Sequence, residues 1–148
     1  MSKDLETIYF FIVCTSFFGV WFPNLLYSPI HGYLRDKRNY TAIFLIAVLL
    51  LIISIYIIEP SWEKHEKSNA LSPIILISYL LLYKIANKIS QMKYNRDMNF
   101  SCRISKWIGK EEAEQSTILE SIIQLAMLII AMLIWGYIGK ILFGTEFL

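Results

Sequence analysis

Residues 41–58, with the sequence TAIFLIAVLLLIISIYII, form one uncharged and almost purely apolar run. Glu59-Pro60 follows directly, and helices commonly end before a proline. The hydrocarbon core of a bilayer needs about 20 apolar helical residues, and a helix satisfies its backbone polar groups internally. A helix on a soluble domain shows a polar face every 3.6 residues, which this run lacks. We therefore predict a membrane-spanning helix here.

The whole chain has the composition expected of a membrane protein. Its 148 residues are 56% hydrophobic and only 18% charged, with a mean hydropathy of +0.50. A soluble domain of this length carries more charge than that. The net charge is only +2, which does not indicate a nucleic-acid partner. We expect an integral membrane protein whose first partner is the lipid bilayer itself.

Three further runs have the length or pattern of a span. Residues 7–30 and 121–139 contain no charged side chain, and Thr117-x-x-Glu120 before the latter has the form of a capping box. Residues 69–83 form a shorter run, with Ser72-Pro73 near its start. We predict a single all-α domain, a bundle of four transmembrane helices. Its spans cover about 7–30, 41–59, 70–91 and 117–143, with a connection over about 92–116.

Proline and small residues mark the first span. Pro23 and Pro29 lie in its second half, where prolines remove helix hydrogen bonds. Two interpretations are open: one continuous span, or a helix to about residue 22 followed by a bent or re-entrant stretch. Thr15-x-x-x-Gly19 has the spacing that lets helices approach closely, either within one bundle or between subunits.

The basic residues predict an orientation, because cytosolic connections carry an excess of Lys and Arg. The connections after the first and third spans have ten such residues, against four on the other side. The ten are Arg35, Lys37, Arg38, Lys84, Lys88, Lys93, Arg96, Arg103, Lys106 and Lys110; the four are Lys3, Lys64, Lys67 and Lys140. Both termini should therefore face outward. Aromatic belts are expected at Trp62, Trp135, Tyr137 and Phe143 outside, and at Tyr33, Tyr40 and Trp107 inside.

A candidate intramembrane polar cluster lies at the inner ends of the third and fourth spans. Lys84, Asn87, Lys88 and Gln91 recur at i, i+3, i+4 and i+7 and form one stripe, while Glu120 and Gln124 share a face of the fourth span. One interpretation is that Lys84 and Lys88 extend to the cytosolic interface. The other is that Glu120 forms a partly desolvated ion pair with Lys84 or Lys88.

The connection over residues 92–116 contains a candidate docking helix. Phe100, Ile104, Trp107 and Ile108 share a helical face, whereas Arg103, Lys106 and Lys110 occupy other positions. This pattern is typical of a short amphipathic cytosolic helix on an anionic leaflet. Packing on the bundle and docking of a soluble partner are the alternatives.

Catalytic and metal-binding motifs do not occur in the sequence. His31 and His65 are predicted on opposite sides of the membrane, and Cys14 and Cys102 are expected to be free thiols. There is no glycine-rich phosphate loop, Gly-x-Ser-x-Gly or His-Glu-x-x-His sequence. We therefore expect no enzyme activity, no cofactor and no metal.

In length, number of spans and lack of catalytic groups, the chain resembles membrane-embedded immunity proteins that protect bacteria from pore-forming toxins. It is also similar to small four-span subunits of anti-phage defence systems. The resemblance implies a bacterial inner-membrane protein that acts as a sensor or anchor, through a partner on its basic loops, through oligomers, or both. It transfers no residue roles. The alternative is an oligomeric ion channel or small transporter using the polar inner faces of spans three and four.

Overall fold

A computed structural model describes residues 3–25, 30–99 and 117–145. These residues form helices joined by short turns, without any strand. The helices, numbered in chain order, are α1 (Lys3–Leu25), α2 (Ile30–Arg35), α3 (Lys37–Ile57), α4 (Lys64–Ala70), α5 (Pro73–Tyr94) and α6 (Ile118–Phe143).

Four of these helices, α1, α3, α5 and α6, are long and apolar enough to cross a membrane. The predicted all-helical class and the predicted number of candidate spans are thereby confirmed. α1 continues past Pro23 to Leu25, and the separate helix α2 begins at Ile30. The stretch between them lies outside the described residues. The short helices α2 and α4 have no counterpart in the sequence prediction.

α5 is the central helix of the bundle. Half of its most apolar 18-residue stretch is buried, against 17% of the corresponding stretches in α1 and α3 and 28% in α6. Its buried stripe includes Ile75, Tyr79, Tyr83 and Ala86, which pack against apolar side chains from α1, α3 and α6. α5 is therefore surrounded by the other three long helices, although it is less apolar than α3 and α6.

The bundle has two structurally different ends. At the first, called the Trp62 end, the turn after α3 and the helix α4 close the core. Trp62 is buried there and meets Tyr9 edge to face, with ring centroids 5.4 Å apart. Ser54 Oγ on α3 donates to the carbonyl of Ala70 on α4. Trp62 was predicted to lie in an interfacial belt, and the structure shows its ring buried between α1, α3 and α4 rather than on the outer surface.

Two glycines lie where α1 and α6 pass neighbouring helices. A Cβ on Gly19 would make an ordinary contact with Leu76 Cδ1 at 3.7 Å, so α1 packs beside α5 at this residue. A Cβ on Gly139 would overlap Ser68 Oγ. Trp135 Nε1 on α6 also donates to the Ser68 carbonyl at 2.8 Å. α4 therefore lies directly against α6.

The outer faces of α1, α3 and α6 are apolar. Large exposed hydrophobic side chains follow their length, among them Phe10, Phe11, Leu45, Leu49, Ile52, Ile122, Leu125 and Leu133. Tyr137 and Cys14 are also exposed, and Cys14 is a free thiol. In water such a surface would be unfavourable, since soluble monomers rarely expose large contiguous apolar patches.

Candidate functional site

The second end of the bundle, called the Glu120 end, is built around one buried carboxylate. The Glu120 side chain is 1% exposed. Its Oε1 accepts hydrogen bonds from Ser90 Oγ at 3.2 Å, Arg96 Nη1 at 2.9 Å and the Asn99 backbone N–H at 3.1 Å. Its Oε2 accepts from Arg96 Nη2 at 3.0 Å. Arg96 therefore binds the carboxylate through both terminal nitrogens, the strong geometry for an ion pair.

Glu120 also belongs to the first turn of α6. Thr117 is the N-cap residue, and its Oγ1 accepts from the Glu120 backbone N–H at 3.2 Å. In return, Glu120 Oε2 accepts from the Thr117 backbone N–H at 2.9 Å and from Thr117 Oγ1 at 3.1 Å. The predicted capping box is confirmed. We call Ser90, Arg96, Asn99, Thr117 and Glu120 the Glu120 clamp.

The chain reaches the clamp because α5 ends in a sharp reversal. Asn95 adopts a left-handed conformation, with φ 54°, and its backbone N–H donates to the Gln91 carbonyl. Asparagine tolerates this conformation better than most other residues. The reversal returns the following residues to the end of the bundle, where Met98 is fully buried in the core.

A second carboxylate holds the same turn. Asp97 Oδ1 accepts from Asn87 Nδ2 and from Gln91 Nε2, both at 2.9 Å. The Asn87 side chain lowers the pKa of Asp97 below its ordinary value of 3.8, and burial opposes this change. The hydrogen bond from Gln91 lowers the pKa further. Asp97 is therefore the ionised end of a short polar network on α5.

Two more contacts tie this turn to the rest of the bundle. Asn87 Oδ1 accepts from the Met98 backbone N–H at 2.8 Å. Arg35 on α2 donates from Nη2 to the Met98 carbonyl at 3.2 Å and to Asn99 Oδ1 at 3.4 Å. The turn over residues 95–99 is thus held by α2, α5 and α6 together.

Part of the predicted polar cluster is brought together here. Asn87 and Gln91 contact Asp97, and Glu120 lies on the other side of the same turn. Gln124 is buried one helical turn further along α6.

The hypothesis that Glu120 pairs with Lys84 or Lys88 is wrong. Glu120 lies level with Ser90, so Lys84 is about 9 Å away along the α5 axis, at 1.5 Å per residue. Lys84 and Lys88 are exposed, and Ser90 is buried, so the lysines occupy the opposite face. Lys84 instead lies over the Tyr40 ring, with Nζ 5.8 Å from its centroid.

Sequence reasoning did not single out Arg96 as the partner of Glu120. Its position depends on the reversal at Asn95, and an Asn shortly after an apolar helix was the signal available. The predicted docking residues Phe100, Arg103, Ile104, Lys106, Trp107, Ile108 and Lys110 lie outside the described residues.

The chemistry of the clamp is structural. Both Glu120 oxygens already accept several hydrogen bonds, so the carboxylate is poorly placed to take a proton from a substrate. No group of three His, Cys, Asp or Glu side chains suited to a metal ion occurs within residues 3–25, 30–99 and 117–145. What the clamp does is fix the position of two backbone segments.

Comparisons with known proteins give no relative: no family model, curated protein or solved structure matches this chain.

Proposed function

We propose that this chain is a four-span integral membrane protein that acts without catalysis, by binding another protein through the basic connection between its third and fourth spans. The proposal has three parts, which are membrane insertion, orientation and presentation of the connection. Each has its own support in the fold.

Membrane insertion is supported by the apolar outer surface. α3 is the clearest case, because after its polar first turn it is almost purely apolar, while only 17% of its most apolar 18-residue stretch is buried in the bundle. Its exposed side chains include Leu45, Leu49 and Ile52. Each would be stabilised by removal from water, by about 25 cal/mol for every Å² covered. A lipid bilayer would cover the exposed apolar surface on all sides of the bundle.

Orientation is supported by the basic residues at the Glu120 end. Lys37 and Arg38 at the start of α3, and Lys84, Lys88 and Lys93 on α5, are all exposed. Because cytosolic connections carry an excess of Lys and Arg, we propose that this end faces the cytosol and that both termini face outward. A phosphatase that folds only outside the cytosol should be active when fused to the C-terminus. Activity of a cytosol-only reporter at that position would overturn the orientation.

The observation that carries the binding role is that one carboxylate holds both stems of the connection. Asn99 is the last described residue before it, and Thr117 is the first one after it. Their backbone N–H groups donate to the two oxygens of Glu120, at 3.1 Å and 2.9 Å. Binding residues are commonly found on connecting segments that a rigid scaffold positions. The clamp makes the bundle such a scaffold for residues 100–116.

The same fold gives less support to a pore through one bundle. Asn87, Gln91 and Glu120, the polar groups that a pore would need, contact the turn over residues 95–99. Apolar side chains such as Ile75 and Leu80 fill the centre. Toxin immunity and a membrane-anchor role in phage defence are two biological settings in which a protein-binding membrane scaffold would act.

The test is native purification in nanodiscs followed by mass spectrometry of the intact assembly. We expect a companion protein to co-purify with the wild-type chain and to be lost from R103Q/K106Q/K110Q. The matched control is K64Q/K67Q/K140Q, which removes three charges from the opposite end and should retain the companion. A homo-oligomer without a companion, conducting ions in liposomes, would overturn the proposal in favour of a channel.

A further inference from the structure

We infer that the groove between α3 and α5 at the Glu120 end binds the phosphate headgroup of an anionic phospholipid. Lys84 and Lys88 on α5 and Lys37 on α3 are the cations, and Tyr40 is the wall that positions Lys84. This inference rests on the proposed membrane insertion, but not on the proposed binding of a protein partner.

Tyr40 sets the geometry of the groove. Its hydroxyl donates to the Leu80 carbonyl at 3.0 Å, which joins the first turns of α3 to the middle of α5. Its ring stacks on Phe44 with centroids 6.3 Å apart, so the ring is held from its own helix as well. The ammonium of Lys84 lies over this ring at 5.8 Å from the centroid, within cation–π range. Lys84 is thereby held in the groove.

The other two lysines lie one turn closer to the Glu120 end. Lys88 follows Lys84 by four residues, so the two share one row on α5. Lys37 precedes Tyr40 by three residues on α3. Because α3 and α5 run in opposite directions, both steps lead toward the same end of the bundle. The three lysines therefore lie at two successive levels of the bundle, with Lys37 and Lys88 one turn nearer the Glu120 end than Lys84.

None of these three lysines forms an ion pair within the part of the chain that the structure describes. Ion pairs there involve Glu63 and Glu120, and neither includes Lys37, Lys84 or Lys88. The two nearby carboxylates keep their negative charge, but each is held by other donors: Asp36 by the Arg38 backbone N–H, and Asp97 by two side-chain amides. The groove thus presents several cations to whatever lies beside it.

The apolar surface next to the groove favours a lipid over a soluble anion. Toward the Trp62 end from the lysines, Leu81 on α5 and Leu45 on α3 are 48% and 61% exposed, and Ile85 beside Lys84 is 58% exposed. A phospholipid places its phosphate against cations and its acyl chains along apolar side chains at the same time. Basic pockets between membrane helices on the cytosolic side bind anionic headgroups in this way.

The test uses the full-length chain in detergent, with native mass spectrometry to count bound lipids. We expect phosphatidylglycerol to bind in preference to phosphatidylcholine. Each cation near the surface contributes about fivefold in affinity, so K84Q/K88Q should bind phosphatidylglycerol about 25-fold more weakly. K64Q/K140Q removes two exposed charges from the Trp62 end and should bind like the wild type. K84R/K88R keeps both charges and should retain the preference for phosphatidylglycerol over phosphatidylcholine.

Two results would overturn the inference. One is equal retention of phosphatidylglycerol by K84Q/K88Q and K64Q/K140Q. The other is binding of soluble glycerophosphate as tight as that of phosphatidylglycerol, which would show an anion site without a lipid. Carbonate extraction of membranes separates this inference from the proposed function. Release of the wild-type chain from the membrane would contradict membrane insertion. Retention of the wild-type chain in the membrane, together with unchanged phosphatidylglycerol binding by K84Q/K88Q, would contradict the headgroup site alone.

Discussion

The two ends of the bundle carry the same local motif in different surroundings. At the Trp62 end, Glu66 in the first turn of α4 reaches back to accept from the Glu63 backbone N–H at 2.9 Å. At the Glu120 end, Glu120 makes the equivalent bond to Thr117, also at 2.9 Å. Glu66 is only partly buried, and the neighbouring Glu63 is exposed and forms an ion pair with the exposed side chain of His65 at 3.2 Å. Glu120 is buried.

The difference lies in the donors that arrive from elsewhere in the chain. The Glu120 carboxylate accepts from Ser90, Arg96 and Asn99, which come from α5 and the turn that follows it. Burial of a charge is costly unless it is paired and hydrogen-bonded, and these donors supply both. A capping box therefore becomes a tertiary connection only when distant donors complete it.

The largest expected effect tests this conclusion directly. Replacing Glu120 by Ala removes the acceptor that the Arg96 guanidinium shares with the N–H groups of Asn99 and Thr117. Breaking a fully buried pair from one side costs about 3–5 kcal/mol, and because Arg96 is 31% exposed we expect a loss of about 3 kcal/mol in the free energy of unfolding of E120A. Thermal or denaturant unfolding in detergent, followed by circular dichroism, measures it. A loss no larger than that of E66A would contradict the role of the distant donors.

The same comparison shows what was readable from the sequence. The four long apolar runs are properties of contiguous residues, and so is the spacing of Thr117 and Glu120, so both were predicted correctly. The pairing of Glu120 with Arg96 depends on the reversal at Asn95. The burial of Trp62 likewise depends on how α4 folds back on α1. Such features arise from the meeting of distant segments, which neither periodicity nor hydropathy records.

The Trp62 end should be more sensitive to shape than to charge. Gly139→Val places a side chain where Ser68 now lies, so α4 must move away from α6. Overpacking of this kind costs about 1–3 kcal/mol, and we expect a destabilisation in that range. Gly32→Ala is the matched control, because nothing lies within 4 Å of a Cβ at that position. Equal unfolding curves for G139V and the wild type would show that α4 is not held by this contact.

Acid should weaken the Glu120 end selectively. The pKa of Asp97 is lowered in the folded protein, chiefly by the hydrogen bond from Asn87. A lowered pKa means that ionised Asp97 adds stability at pH values above its ordinary pKa of 3.8, and that this stability disappears as pH falls through the pKa of the folded state. At pH values below about 4, we expect the midpoint temperature of thermal unfolding to decrease. The decrease should be smaller in D97N, which lacks the titrating carboxyl. An identical acid response in D97N would exclude Asp97 as the cause.

The smallest effect is expected at the exposed capping box. Glu66→Ala removes one hydrogen bond to the Glu63 backbone N–H, which water can replace because that box lies at the surface. Such a capping interaction contributes about 0.5 kcal/mol, so E66A should unfold almost like the wild type. Hydrogen exchange of the first α4 amides should nevertheless increase, since the helix start loses its acceptor. A loss of several kcal/mol in E66A would mean that α4 depends on its own cap rather than on Trp62 and Gly139, and the contrast between the two ends would fail.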